Sequence, residues 1–215
     1  MQVFLFVTVG WIFSVCLHEF GHAVVAYKGG DYTVRDKGYL TLNPIHYTDP
    51  VYSLVMPLIF LFMGGIGLPG GAVYINDHLL RSKAWRTWVS LAGPAMNVLL
   101  TLALCIPFWL GMLDMRFAPG LAFLIQIEIS AVLFNLIPVP PLDGFRAISP
   151  WLPEEISERL LQQSNVLIWV LFILMWYVRP LNEAFWNLVY AGMSLVGVDY
   201  NLAMMGWREF AFWRR

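Results

Sequence analysis

The segment His18-Glu19-Phe20-Gly21-His22 lies inside an apolar run that extends from Val3 to Tyr27. A run of that length can cross a bilayer as one helix, which takes about 20 apolar residues. Positions four apart share a helix face, so both imidazoles can reach a single metal ion. Glu19, beside the first of them, is then placed to act on a water activated by that metal. An ionisable side chain at the centre of a span costs about 3 kcal/mol. Residues kept at that cost are functional candidates, and two of the chain's four histidines are here. Catalytic zinc takes three protein ligands and keeps one position open. The fold therefore has to bring a third ligand to this helix.

Composition agrees with a membrane setting. The 215 residues are 59% apolar and only 13% charged, against about 25% charged in soluble domains. Ten tryptophans and nine tyrosines, many near the ends of apolar runs, fit interfacial belts. A net charge of -1 without a basic stripe gives no reason to expect nucleic acid as a partner. Cys16 and Cys105 both sit in apolar runs and read as small buried hydrophobes, with no disulfide framework. The first run has no basic n-region and continues past a signal-sized core, so a retained helix is expected.

Further candidate spans are Trp85 to Leu110, Gly120 to Ile137, Val166 to Val178 and Phe185 to Val198. The expectation is an all-α integral membrane protein with about five transmembrane helices. Val51 to Leu68 is apolar but broken by Pro57, Gly64, Gly65 and Gly67, and reads as a re-entrant segment. Tyr32-Thr33-Val34 and Tyr39-Leu40-Thr41-Leu42 read as a short β-hairpin near the membrane. Glu154, Glu155, Glu158 and Arg159 mark a solvated amphipathic helix, and Trp207 to Arg215 a basic, aromatic tail. One membrane-embedded domain over 1–215 is expected, with a core at 1–146 and C-terminal helices at 164–198.

Asp143 is the best candidate for the third ligand. It follows an apolar span and Pro138, Pro140 and Pro141, which break the helix. Gly144 leaves the chain room to turn, and a carboxylate on such a break can face a protein cavity instead of lipid. Asn135, eight residues earlier, can hold a substrate carbonyl or a developing oxyanion. Glu128 lies within a span with no partner assignable from sequence. His46 and His78 read as loop histidines.

His18-Glu19-Phe20-Gly21-His22, then Gly93-Pro94-Ala95-Met96-Asn97, then Asn135-Leu136-Ile137-Pro138-Val139-Pro140-Pro141-Leu142-Asp143-Gly144 together resemble the site-2 protease family of intramembrane zinc metalloproteases. Leu42-Asn43-Pro44-Ile45-His46 and Thr48-Asp49-Pro50 resemble its small bacterial and archaeal branch. The resemblance covers about Phe13 to Arg146. It implies one zinc held by His18, His22 and Asp143, Glu19 as general base, and Asn135 assisting substrate or oxyanion. Asn97 would serve packing and cavity hydrogen bonding. The implied substrate is a transmembrane protein or peptide, met among membrane lipids. No PDZ or CBS module is legible, so a minimal form is expected.

A metal site of this kind constrains the threading. The first span and the 120–137 span must cross in one direction, and the 85–110 span in the other. Lys28, Arg35, Lys37, Arg81, Lys83, Arg86 and the basic tail are then expected on one side, the cytoplasmic side of the cell membrane by the positive-inside rule. His18 would lie about 13 Å deep at 1.5 Å per residue from Tyr27. The rival reading is a non-proteolytic protein, either a zinc-binding scaffold or a transporter. A transporter is expected to show repeated halves, and none is visible. A scaffold would tolerate the loss of Glu19.

Overall fold

Gln2–Gly29 forms one unbroken helix, α1. It stops at Gly30, whose φ of +118° suits only glycine well. The Asp31 N–H reaches back to the Ala26 carbonyl at 3.0 Å, closing the helix end in a Schellman-type turn. The computed structural model describes residues 2–43 and 73–214. The expected re-entrant segment, residues 44–50 and His46 lie outside the described residues.

The expected hairpin is not there. Thr33–Asp36 is a helical turn, α2, and no strand occurs among the described residues. The cause is the buried carboxylate of Asp31. Its Oδ1 accepts from the Thr33 N–H at 3.1 Å and from the Thr33 hydroxyl at 2.6 Å. Its Oδ2 accepts from the Asn76 N–H at 2.7 Å, tying the segment after residue 72 to the end of α1. Such side-chain acceptors offer the backbone an alternative to a strand ladder. Val34 and Tyr39 are buried against Ala23, Ala26 and Leu80. Local β-propensity loses to this packing.

Two more helices are long and apolar enough to cross a membrane: α3, Lys83–Trp109, and α4, Ala118–Asn135. Ser82 caps α3, accepting from the Trp85 N–H. Short helices follow: α5, Asp143–Ile148; α6, Glu154–Gln162; α7, Ser164–Tyr177; α8, Arg179–Leu195; and α9, Tyr200–Phe210. The pair α6 and α7 is bent by 70° and the pair α8 and α9 by 114°, so the described residues hold three spans, or up to five if each bent pair is one.

The direction of each helix follows from its contacts. Gly120 faces Val3, Gly10 faces Leu124, and Ser14 bonds Glu128, so α1 and α4 run parallel. Gly29 faces Trp85, His22 bonds Val89 and His18 bonds Asn97, so α3 runs against α1. The α4 helix is almost wholly buried. Val7, Trp11 and Val15 of α1 pack on its Phe123, Leu124 and Ile127. The α8 helix runs against α4, with Phe185 beside Phe134 and Gly192 beside Ile129.

One sequence expectation fails here. The α9 helix seats Gly206 against the Pro119 carbonyl, and Phe210 against Phe4 and Phe123. Trp213 also meets Phe4. The aromatic tail therefore covers the end of the bundle where α1 and α4 begin, opposite to Lys28. Aromatic packing, not charge, places it.

Candidate metal centre

His18 and His22 stand one turn apart on α1, both buried. Asp143 opens α5. The chain leaves α4 at Leu136 and doubles back through Pro138 to Pro141, with the Leu142 N–H bonded to the Val139 carbonyl at 2.9 Å. Gly144 lies so close to the Leu136 and Ile137 carbonyls that no side chain fits there. The Thr87 hydroxyl on α3 bonds the Ala147 carbonyl at 2.7 Å, and the Trp151 indole N–H bonds Thr87 at 2.9 Å. These contacts fix α5 against α3, with the Asp143 carboxylate turned to the two imidazoles.

The three side chains converge. His18 Nε2 lies 3.0 Å from His22 Nε2, and Asp143 Oδ2 lies 3.2 Å and 3.4 Å from them. One ligand atom from each residue falls within 4.8 Å of the others. The outer ring nitrogens face acceptors: His18 Nδ1 meets Asn97 Oδ1, and His22 Nδ1 meets the Val89 carbonyl at 2.6 Å. Each Nδ1 must therefore carry the proton and donate, which leaves both Nε2 lone pairs pointing inward. Two lone pairs and a carboxylate facing one point repel one another unless a cation lies between them. Gly93 of α3 completes the cradle, since a Cβ there would fall against both Nε2 atoms. The donor set and this space fit a zinc ion.

A cavity of about 970 Å³ opens onto this cluster and is lined by His18, Glu19, His22, Asn135 and Asp143. All five residues singled out from sequence thus face one space. Glu19 is 3% exposed and Asn135 2%. The Asn135 Nδ2 is buried with no partner among the described residues, a donor on the cavity wall. Tyr74, Asp77, Arg86, Arg146 and, from α6, Glu154 and Glu158 also line the cavity. His78, exposed, lines it as well.

Sequence reasoning left Glu128 without a partner. It is fully buried on α4, and its Oε2 accepts from the Ser14 hydroxyl at 2.7 Å and from Asn97 Nδ2 at 2.9 Å. Asn97 Nδ2 also donates to Ser14 Oγ at 2.8 Å. A glutamate in the middle of an apolar span was a sequence signal for this cluster, as was Asn97 of the Gly93-Pro94-Ala95-Met96-Asn97 element.

Among known proteins, "Putative zinc metalloprotease Rip2" of Mycolicibacterium smegmatis is 40% identical over 214 residues, spanning 98% of this chain and 82% of that protein. The protein of the same name from Mycobacterium tuberculosis is 40% identical over 218 residues, with the same shares. "Putative zinc metalloprotease YwhC" of Bacillus subtilis is 32% identical over 196 residues, 86% of each chain. No protein-family profile and no solved structure matches this chain. With 40% identity along nearly its whole length to proteins so named, and with its H-E-x-x-H helix facing a carboxylate across the bundle, the chain belongs to the site-2 protease family of zinc metalloproteases.

Proposed function

We propose that this protein is a multi-pass intramembrane zinc metalloprotease that hydrolyses peptide bonds of transmembrane substrates. The observation that carries the reading is the convergence of both His Nε2 atoms and the Asp143 carboxylate between membrane-spanning helices. In this reading His18, His22 and Asp143 hold one zinc per chain. Zinc bound there would supply Lewis-acid polarisation of an attacking water, bringing its pKa towards about 7. Glu19 takes the proton from that water and returns it to the leaving amine. Asn135 Nδ2, open to the cavity, donates to the oxygen that gains charge as the carbonyl is attacked. A helical substrate hides its scissile carbonyl in i to i−4 hydrogen bonds, so it must unwind before it enters.

Lys28, Arg35, Lys37, Arg81, Lys83 and Arg86 cluster at the cavity end of the bundle by sequence position along α1 and α3. The positive-inside rule then places the cavity on the cytoplasmic side of the cell membrane. The basic tail no longer contributes to this argument, because it packs at the other end.

The test is cleavage of a single-span substrate by the full-length protein in lipid vesicles. Cleavage is expected to stop on zinc chelation and to return on zinc addition, and cleavage that ignores the chelator would refute the reading. Asn135→Ala is expected to lower kcat by about 10²–10³ while zinc content stays unchanged. A change in KM alone, with kcat intact, would remove Asn135 from the chemistry.

A further inference from the structure

The hydrogen bonds around Glu128 form a directed chain to the metal cluster, and this rests on the metalloprotease reading above. Asn97 stands between His18 on one side and Ser14 with Glu128 on the other. An amide has an accepting end and a donating end. If its oxygen faces His18, the imidazole proton sits on Nδ1 and Nε2 keeps its lone pair for the metal. If the amide turns round, its NH₂ faces Nδ1, the proton moves to Nε2, and the lone pair is lost.

What fixes the amide is the acceptor behind it. Glu128 Oε2 takes two donors, the Ser14 hydroxyl and Asn97 Nδ2, and as a carboxyl oxygen with no proton it can only accept. Ser14, having given its proton to Glu128, offers its lone pair to the second N–H of Asn97. Both N–H bonds of the amide are thus used, and its oxygen is left for His18. Without Glu128 the Ser14 hydroxyl is free to rotate and can serve either end of the amide. The chain joins α1, α3 and α4, and all four side chains are buried.

We infer that Glu128 is a positioning residue for the metal site, holding Asn97 so that His18 presents an unprotonated Nε2. It does not line the cavity, and it reaches His18 through Asn97. Outer partners that orient metal-binding histidines are typically worth about 10–100-fold in metal affinity.

The experiment is zinc affinity of the full-length, detergent-solubilised protein, measured by competition with a metal-buffering chelator. Glu128→Met is expected to bind zinc about 10–100-fold more weakly. Glu128→Gln, whose carboxamide oxygen can accept the same two bonds, is expected to stay within about threefold of wild type. Nitrogen-labelled histidine spectra of the zinc-loaded wild type should show the His18 proton on Nδ1 and the metal on Nε2. Glu128→Met that holds zinc as tightly as wild type would overturn the inference, as would a metal on His18 Nδ1. A purely structural role would instead lower the melting temperature of the Met and Gln variants alike, with zinc affinity unmoved. If the Met variant does not fold, the wild-type spectrum and the Gln affinity decide. A wild type that takes no zinc would sink the metalloprotease reading itself, a separate result.

Discussion

Glu19→Gln is expected to lower the cleavage rate by about 10²–10⁴-fold, the usual contribution of a positioned general base. Zinc content should stay at the wild-type level. The amide matches the carboxylate in shape, so the buried helix face that carries His18 and His22 is undisturbed. It has no basic oxygen to take a proton from water, and the chemical step loses its proton acceptor. A zinc scaffold would not register this change. Cleavage of a vesicle-embedded substrate, paired with metal analysis of the same preparation, reads both quantities. Retained cleavage in Glu19→Gln would remove Glu19 from the reaction.

Gly93→Ala is expected to abolish stoichiometric zinc binding, and cleavage with it. A methyl group at this position would overlap His18 Nε2 and His22 Nε2 together. Alanine is a better helix former than glycine by about 1 kcal/mol, but the crowded rings must move, at a cost of about 1–3 kcal/mol. The metal-free variant should therefore melt at or modestly below the metal-free wild type, while added zinc no longer raises its melting temperature. Zinc-dependent stabilisation equal to wild type would show that the rings have room to step aside.

The five residues that the structure brings to one cavity could be singled out in the sequence because their pattern is local. His18, Glu19 and His22 share one helical turn or so, and the break that carries Asp143 is written in prolines and Gly144. The relative directions of α1, α3 and α4 followed from requiring those groups to meet. The Ser14, Asn97 and Glu128 cluster was not legible, because each member comes from a different helix and only the packed bundle pairs them. The hairpin expectation failed on one residue, Asp31, whose carboxylate turns Thr33 into a helix. The tail was read by its charge, whereas Phe4, Phe123 and Phe210 decide where it lies. Charge patterns speak for loops that leave the membrane, and an aromatic segment packed on the bundle is not one of them.

Three side chains from two segments far apart in sequence converge as one candidate ligand set. The direct measurement is the zinc content of the purified, detergent-solubilised protein beside Asp143→Ala, both prepared without chelator. About one zinc per chain is expected in the wild type, with a variant that has lost it or releases it to a mild chelator. Zinc held equally well by Asp143→Ala would contradict a three-residue ligand set.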